Sequence, residues 1–174
     1  MKPKIGIIGA GVMGKGVAER FANYGYQVII LDNDDKVASK VISDITRSIK
    51  MKKMFDKTLN EDDIIANIKV ARDYSDFKMV DFIVENIVEQ EEAKKSVYKQ
   101  VDEVVAGNCI YLANTSCIPI TRLGSYTKRS DKVIGVHFMN PVPVKNFAEV
   151  ILGCQTSKDT QEKVFELLTH VGIE

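Results

Sequence analysis

Hydrophobic and polar positions along this chain follow two rhythms: short continuous apolar runs, and longer stretches with apolar residues at helical spacing. The apolar runs are four or five residues long, as is typical of strands that helices cover on both faces. They predict strands at residues 4–8, 27–31, 68–71, 82–85, 110–113, 133–137 and 148–152. Because helical stretches alternate with most of these runs, the pattern predicts βαβ units and a mostly parallel sheet.

The helical stretches are marked by their end signals as well as by their spacing. We predict helices at residues 14–24, 89–105 and 157–171. Gly25 closes the first, because glycine tolerates the left-handed backbone that ends many helices. Ser157 is a plausible N-terminal cap of the third, and Gly172 lies just past its end.

Residues 34–67 depart from the simple alternation, because two helical patterns follow each other without a strand between them. We interpret this segment as a helical hairpin inserted between the second and third strands. Its turn is basic and contains Arg47, Lys50, Lys52, Lys53 and Lys57. Such clusters are often only a solvated helix end. The alternative is a contact for an anionic ligand, such as the phosphates of coenzyme A.

A glycine loop follows the first predicted strand directly and leads into the first helix. Its sequence is Gly9-Ala10-Gly11-Val12-Met13-Gly14. In this context Gly9 permits a tight turn, Gly11 lets the backbone approach a pyrophosphate, and Gly14 lets the helix pack closely on the strand. Free N–H groups at the helix start favour the phosphates. We expect cofactor contacts from Gly9, Gly11, Val12, Met13 and Gly14.

Asp32 extends this motif, since it ends the second predicted strand 21 residues after Gly11. A carboxylate there accepts hydrogen bonds from the ribose hydroxyls and repels a 2′-phosphate, which favours NAD over NADP. The alternative is a glycine-rich turn with an ordinary helix-capping aspartate. Together these features predict an α/β fold: a Rossmann-type, mostly parallel sheet with a helical hairpin after the second strand.

Composition indicates which classes of partner and which cellular compartment to expect. Lys plus Arg and Asp plus Glu number 24 each, so no excess charge points to nucleic acid or to an anionic membrane. No apolar run approaches the roughly 20 residues that span a bilayer. Cys109, Cys117 and Cys154 are odd in number and lack metal-type spacing, which indicates reduced thiols in a cytoplasmic protein and no metal site.

Two polar motifs begin where apolar strands end. The first is Asn114-Thr115-Ser116-Cys117, and the second is His137-Phe138-Met139-Asn140-Pro141-Val142-Pro143. Because ligands bind outside the carboxyl ends of strands in open α/β sheets, we expect Ser116, His137 and Asn140 to converge near the cofactor.

With these motifs, the chain resembles the NAD-binding part of the L-3-hydroxyacyl-CoA dehydrogenases. The likeness covers essentially the whole chain. It rests on the glycine loop, Val84-Glu85-Asn86-Ile87-Val88-Glu89, the turn at 114–116, the His-Phe-Met-Asn-Pro motif and Glu149-Val150-Ile151. The resemblance implies NAD-dependent oxidation of a 3-hydroxyacyl thioester to the 3-oxoacyl thioester.

The resemblance also implies roles for individual residues. His137 would be the general base, Glu149 would pair with its other ring nitrogen, and Ser116 would hydrogen-bond the reacting oxygen. The implied cofactor contacts are Glu89, Lys94, Asn114, Ser116 and Asn140. Each has a plainer interpretation, because a single histidine at a strand end is often structural, Glu149 could be an exposed strand residue, and Ser116 could only form the turn.

Several points depart from the family pattern or stay open. Cys117 replaces a second serine, and residues 145–148 are more polar than the usual run. The family continues beyond residue 174 with a helical substrate and dimerisation domain, so residues 1–174 are expected to be the NAD-binding domain, as a fragment or a naturally short protein, with slow turnover and a possible homodimer. The thioester carrier is coenzyme A or an acyl carrier protein. A non-catalytic NAD-binding module is the alternative from another class.

Overall fold

Seven strands form one sheet in the computed structural model, which describes residues 2–174. The strands are β1 (Ile5–Ile8), β2 (Val28–Leu31), β3 (Ile68–Val70), β4 (Phe82–Glu85), β5 (Ile110–Ala113), β6 (Val133–Phe138) and β7 (Ala148–Leu152). Their order is β3-β2-β1-β4-β5-β6-β7. Neighbouring strands are parallel except for β7, which runs antiparallel to β6. The predicted mostly parallel sheet is confirmed, and each predicted strand lies within one residue of its observed bounds.

Helices cover both faces of this sheet. They are α1 (Val12–Asn23), α2 (Asp35–Ala38), α3 (Val41–Lys53), α4 (Glu61–Ala66), α5 (Glu91–Asp102), α6 (Ile120–Gly124) and α7 (Lys158–His170), with 3-10 turns at Tyr74–Phe77 and Ser130–Lys132. The predicted helices at 14–24 and 157–171 are confirmed, with Gly25 and Gly172 at positive φ just past their ends. The prediction at 89–105 was too long, because Glu89 lies in the loop before α5 and uses its carboxylate to bind residues 115–117.

The hairpin predicted between the second and third strands is confirmed as α3 and α4, preceded by the short α2. Val41, Ile45 and Ile49 recur every fourth residue and are buried, so α3 lays one apolar stripe against the sheet and α1. The Asn60 side chain accepts a hydrogen bond from the N–H of Asp63 and so caps α4. The basic turn therefore joins two helices whose positions are fixed by packing and capping.

The core has two layers because alternate strand residues point to opposite faces. On β4, Val84 belongs to the apolar cluster that includes residues of α1, α3 and α7, whereas Ile83 belongs to the cluster that includes residues of α5 and α6. Both side chains are fully buried, and each such burial contributes about 1.5–3 kcal/mol. This double cover explains why the strands are continuously apolar.

Arg20 on α1 joins elements that are distant in sequence. Its buried guanidinium donates to the carbonyl oxygens of Val171 and Gly172, at 2.7 and 2.5 Å, just past α7. It also donates to the Lys145 carbonyl and the Asn146 side chain, at 3.2 and 2.9 Å. Helix α1 is thereby tied to the β6–β7 loop and to the C-terminal end of α7, where a positive charge is favourable.

The carboxyl ends of the strands define where a ligand can bind. From β1 the chain proceeds outward to β2 and β3, and then crosses back to β4 on the other side of β1. A crevice forms at such a reversal in an open α/β sheet. The glycine loop after β1 and the segment after β4 face each other across it.

Candidate active site

The glycine loop has the backbone that its sequence predicted. Gly9 has φ +92°, and a Cβ there would come within 2.7 Å of the Asn86 carbonyl oxygen. A Cβ on Gly14 would fall on the carbonyl oxygen of Gly9, so only glycine lets α1 start this close to β1. Around Gly11, in contrast, nothing lies within 4 Å of the position that a Cβ would occupy. The loop thus leaves open space at the middle glycine, where a pyrophosphate would approach.

The start of α1 is free to bind an anion. Gly11 occupies the cap position without a side-chain hydrogen bond, and the first turn contains no acidic residue. Its N–H groups and the positive end of the helix dipole are therefore available to phosphate. Asp32 holds the loop from the other side, since its carboxylate accepts from the backbone N–H of Ala10 at 2.7 Å and of Asp34 at 2.9 Å.

A cleft of about 630 Å³ lies beside this loop. It is lined by the glycine loop, by Asp32, and by residues after β4 and on α5, including Asn86, Val88 and Val97. The cleft includes Asp32, so it lies where the sequence predicts the adenosine side of a dinucleotide. A larger cavity of about 950 Å³ lies at the opposite edge of the sheet beside His170, and it includes none of the predicted site residues.

Asn114 connects three strand ends next to the cleft. Its amide nitrogen donates to the Asn86 side-chain oxygen at 2.7 Å, and its own side-chain oxygen accepts from the N–H of Phe138 at 3.3 Å. The ends of β4, β5 and β6 are therefore cross-linked by one side chain. This fixes the relative positions of the two polar motifs.

Ser116, His137 and Glu149 form one hydrogen-bonded chain. His137 and Glu149 are directly opposite each other on the antiparallel strands β6 and β7, so their side chains share a face. The distance from His137 Nδ1 to Glu149 Oε2 is 2.9 Å, and that from His137 Nε2 to Ser116 Oγ is 3.1 Å. The side chains of His137 and Glu149 are 29% and 56% exposed. The structure therefore brings together the three residues that the sequence singled out for chemistry, at a surface open to a substrate.

Glu89 and Lys94 lie next to this chain and bind each other. Lys94 is fully buried, and its ammonium contacts Glu85 at 2.8 Å and Glu89 at 3.3 Å. Glu89 binds the turn at 115–117. The ammonium of Lys94 is thus directed at carboxylates within the protein, and a direct contact with a cofactor ribose stays a prediction for both residues.

Comparison with known proteins identifies the family. Residues 4–174 match the family described as 3-hydroxyacyl-CoA dehydrogenase, NAD binding domain. The chain belongs to this family. The NAD-binding assignment agrees with the structure, because the open space at Gly11, the uncapped start of α1 and the position of Asp32 suit a dinucleotide.

Individual relatives of this family match over nearly the whole chain. A 3-hydroxybutyryl-CoA dehydrogenase from Clostridioides difficile is 39% identical over 173 residues, which cover 97% of this chain and 61% of the relative. The human mitochondrial hydroxyacyl-coenzyme A dehydrogenase is 32% identical, over 95% of this chain and 55% of the relative. The crystal structure of an (S)-3-hydroxybutyryl-CoA dehydrogenase from Ralstonia eutropha has a TM-score of 0.95 at 35% identity, covering 99% of this chain and 62% of that one. The chain thus spans about three fifths of the length of these relatives.

Exposure differs among the remaining residues that the sequence singled out. Asn140 is exposed in the loop after β6, Val12 is 71% exposed, and Met13 is partly buried. In the basic turn, Lys52 is directed inward and pairs with the buried Glu19. Burial lowers the pKa of Lys52 to about 8. The other four cations, Arg47, Lys50, Lys53 and Lys57, are exposed.

Sequence reasoning missed the roles of Glu85, Asn86 and Thr115. Glu85 ends an otherwise apolar strand, and this was the available signal, because a carboxylate buried at such a place needs a partner. Burial raises the pKa of the Glu85 carboxyl despite the Lys94 ammonium beside it. Asn86 and Thr115 have no comparable signal, since their roles depend on which loops meet.

Other expectations concern thiols, metals and membranes. Cys109 is buried, Cys117 and Cys154 are exposed, and all three are unpaired in residues 2–174. Within that range, no group of three or more His, Cys, Asp or Glu side chains is arranged to hold a metal ion. None of the helices described above has both the length and the apolarity to cross a bilayer.

Proposed function

We propose that this domain carries out NAD-dependent oxidation of a 3-hydroxyacyl thioester, with a 3-hydroxyacyl-CoA as substrate and His137 as the general base. The observation that carries the proposal is the chain from Ser116 through His137 to Glu149, with distances of 3.1 and 2.9 Å. It lies at the same edge of the sheet as the dinucleotide cleft. Relatives named for this reaction support the choice of substrate class.

The geometry supports a different role for each of the two imidazole nitrogens of His137. A carboxylate only accepts hydrogen bonds, so Glu149 favours the tautomer with the proton on Nδ1. Nε2 is then free to take the proton of the substrate 3-hydroxyl, and Glu149 stabilises the imidazolium that results. Ser116 Oγ, next to Nε2, is suited to hydrogen-bond the same substrate oxygen. NAD, when bound, accepts the hydride from the carbon, so the alcohol loses one proton and one hydride and becomes the ketone.

The exposed basic turn supports an anionic carrier. Arg47, Lys50, Lys53 and Lys57 project from the hairpin, and Phe55 beside them is 92% exposed. Cations next to an aromatic surface suit the phosphates and the adenine of coenzyme A. Replacing Lys53 and Lys57 by Gln should raise the KM for acetoacetyl-CoA several-fold and leave kcat within about twofold, with Lys158→Gln on α7 as the control. A thioester of an acyl carrier protein, assayed in parallel, distinguishes the two carriers.

The central test combines a binding and a turnover measurement. NADH fluorescence titration should give saturable binding, and failure to bind at millimolar NADH would refute the cofactor site. Reduction of acetoacetyl-CoA by NADH should then fall by about 10²–10⁴-fold in His137→Ala, the usual contribution of a general base. His170→Ala, at the opposite edge of the sheet, is the control and should retain the wild-type rate. Equal rates for wild type and His137→Ala would remove the base assignment.

A further inference from the structure

The Glu89 carboxylate holds the turn that carries Ser116. One oxygen, Oε1, accepts from the backbone N–H of Ser116 at 2.9 Å and of Cys117 at 3.3 Å, and also from the Thr115 hydroxyl. The other oxygen, Oε2, is 3.3 Å from the Lys94 ammonium. Partial burial alone raises the pKa of Glu89, but the bonds from Thr115, Lys94 and Ser116 outweigh it and bring the pKa to about 2. The group that holds the turn is therefore an anion at neutral pH.

Lys94 holds the Oε2 oxygen of Glu89 in place. Its side chain has no exposed surface, and its ammonium also contacts both oxygens of the buried Glu85, at 2.8 and 2.9 Å, and the Asn114 carbonyl at 3.4 Å. An ammonium confined by this many acceptors cannot reorient without breaking a buried ion pair. Glu89 is thus held between a rigid cation and the turn.

The backbone N–H and the hydroxyl of Ser116 have different hydrogen-bond partners. Glu89 occupies the backbone N–H, which leaves the Oγ free to lie 3.1 Å from His137 Nε2. We propose that Glu89, supported by Lys94, is a positioning residue that sets the Ser116 hydroxyl against His137. This role differs from lining the cofactor ribose, and it rests on the function proposed above for Ser116 and His137.

The chemistry of the two Glu89 oxygens makes the proposal specific. A carboxylate accepts on both sides, whereas a glutamine amide has one accepting oxygen and one donating NH₂ group. In Glu89→Gln either the turn or Lys94 faces the NH₂ group, so one of the two contacts is lost. Charge-assisted hydrogen bonds are also about twice as strong as neutral ones. We therefore expect Glu89→Gln to impair the turn partly and Glu89→Ala to impair it further.

Cys117 is a built-in reporter of the turn, because it follows Ser116 and its thiol lies 3.6 Å from Glu89 Oε1. Desolvation and the neighbouring Glu89 carboxylate together raise the pKa of the Cys117 thiol. Without the carboxylate the thiolate fraction increases, and the thiolate is the species that reacts with iodoacetamide. In a Cys154→Ser background Cys117 is the exposed thiol, since Cys109 is buried.

The experiment measures Cys117 alkylation and enzyme kinetics on the same full-chain variants. We expect alkylation to accelerate several-fold in Glu89→Ala and by less in Glu89→Gln, because the thiolate fraction increases when the thiol pKa falls. Glu92→Gln on α5, whose side chain is 84% exposed, is the matched control and should not change the rate. With NADH and acetoacetyl-CoA, kcat should fall by about tenfold or more in Glu89→Gln, while the Kd for NADH changes by less than about twofold.

The outcomes separate the two proposals. An unchanged alkylation rate in both Glu89 variants would overturn the positioning role, even if turnover falls. A weakened Kd for NADH with normal kcat would also overturn it and would assign Glu89 to the ribose. If His137→Ala keeps the wild-type rate, the proposed reaction fails, but the alkylation result still reports whether Glu89 contacts the turn at Cys117. Far-ultraviolet circular dichroism of each variant checks that it folds.

Discussion

Two pairs, each of one carboxylate and one basic side chain, lie at the carboxyl ends of β4 and β6, and they differ chiefly in exposure. The Glu85–Lys94 pair has side chains that are 1% and 0% exposed, with an N–O distance of 2.8 Å. The His137–Glu149 pair has a similar distance, 2.9 Å, but its side chains are 29% and 56% exposed. A buried pair is costly to separate, whereas an exposed pair contributes little to stability. The difference in exposure suits the first pair to holding the site and supports the proton-transfer role proposed for the second.

The largest expected effect is on the stability provided by the buried pair. Lys94→Met leaves Glu85 without its counter-ion in the interior, so the free energy of unfolding should fall by about 3–5 kcal/mol. Urea unfolding followed by circular dichroism measures this loss. Lys95→Met, the next residue on α5 and partly exposed, is the control. A loss below about 1 kcal/mol in Lys94→Met would mean that the buried pair contributes no more to stability than an exposed pair does.

Arg20 tests whether a buried cation without a carboxylate partner contributes as much to the free energy of unfolding as the buried Glu85–Lys94 pair. Its guanidinium is buried against carbonyl and amide oxygens of the β6–β7 loop and of the chain just after α7. Arg20→Met leaves several of these oxygens without a donor, and we expect a loss of about 2–3 kcal/mol. The same urea titration measures it. A cost larger than that of Lys94→Met would show that carbonyl contacts matter more here than ion pairing.

The exposed pair should show the opposite behaviour, with a large effect on rate and a small one on stability. Glu149→Gln keeps the size of the side chain but removes the charge that supports the imidazolium, so kcat should fall by about 10²-fold. The free energy of unfolding should change by less than about 1 kcal/mol. Acetoacetyl-CoA reduction and urea unfolding are measured on one preparation. A variant that loses stability but keeps its rate would reverse the assignment of the pair.

The smallest expected effect concerns Glu89, which lies between the two pairs. Its pKa of about 2 is below the value of about 4.3 for an unfolded chain, so its ionised form favours the folded state. This contribution is complete above about pH 4.3 and is lost as the pH falls toward 2. Glu89→Gln should therefore be less stable than wild type near neutral pH, and the gap should narrow over that acidic range in urea titrations. A constant gap would mean that Glu89 does not titrate as the structure indicates.

Much of the fold could be predicted, because its strands and helices carry strong local patterns. The seven apolar runs became the seven strands, and Gly9 and Gly14 have the roles that their spacing indicated. The antiparallel direction of β7 could also have been predicted. Only nine residues, 139–147, separate β6 from β7, which is too short for the usual crossover to a parallel strand.

The partners of the charged residues could not be predicted in the same way. Lys94 and Lys95 are adjacent on a charged helix, and nothing local indicates that only the first is fully buried. Arg20 likewise resembles any basic residue in the last turn of an amphipathic helix. Their contacts depend on loops that meet only when the sheet has formed. The pairing of His137 with Glu149 was predicted because the family resemblance supplied it, not because spacing alone required it.

The register between β6 and β7 has a consequence for how this domain can vary. His137 and Glu149 belong to strands that pair residue by residue, while the loop that joins them carries exposed apolar side chains, Val144 and Phe147. Substitution of these two exposed side chains can therefore reshape the surface that the proposed acyl substrate would meet without separating the pair. A shift of the ladder by a single residue, in contrast, would turn Glu149 to the opposite face of the sheet. Under the proposed function, acyl preference and proton transfer thus depend on different features, the exposed loop side chains and the register of the ladder.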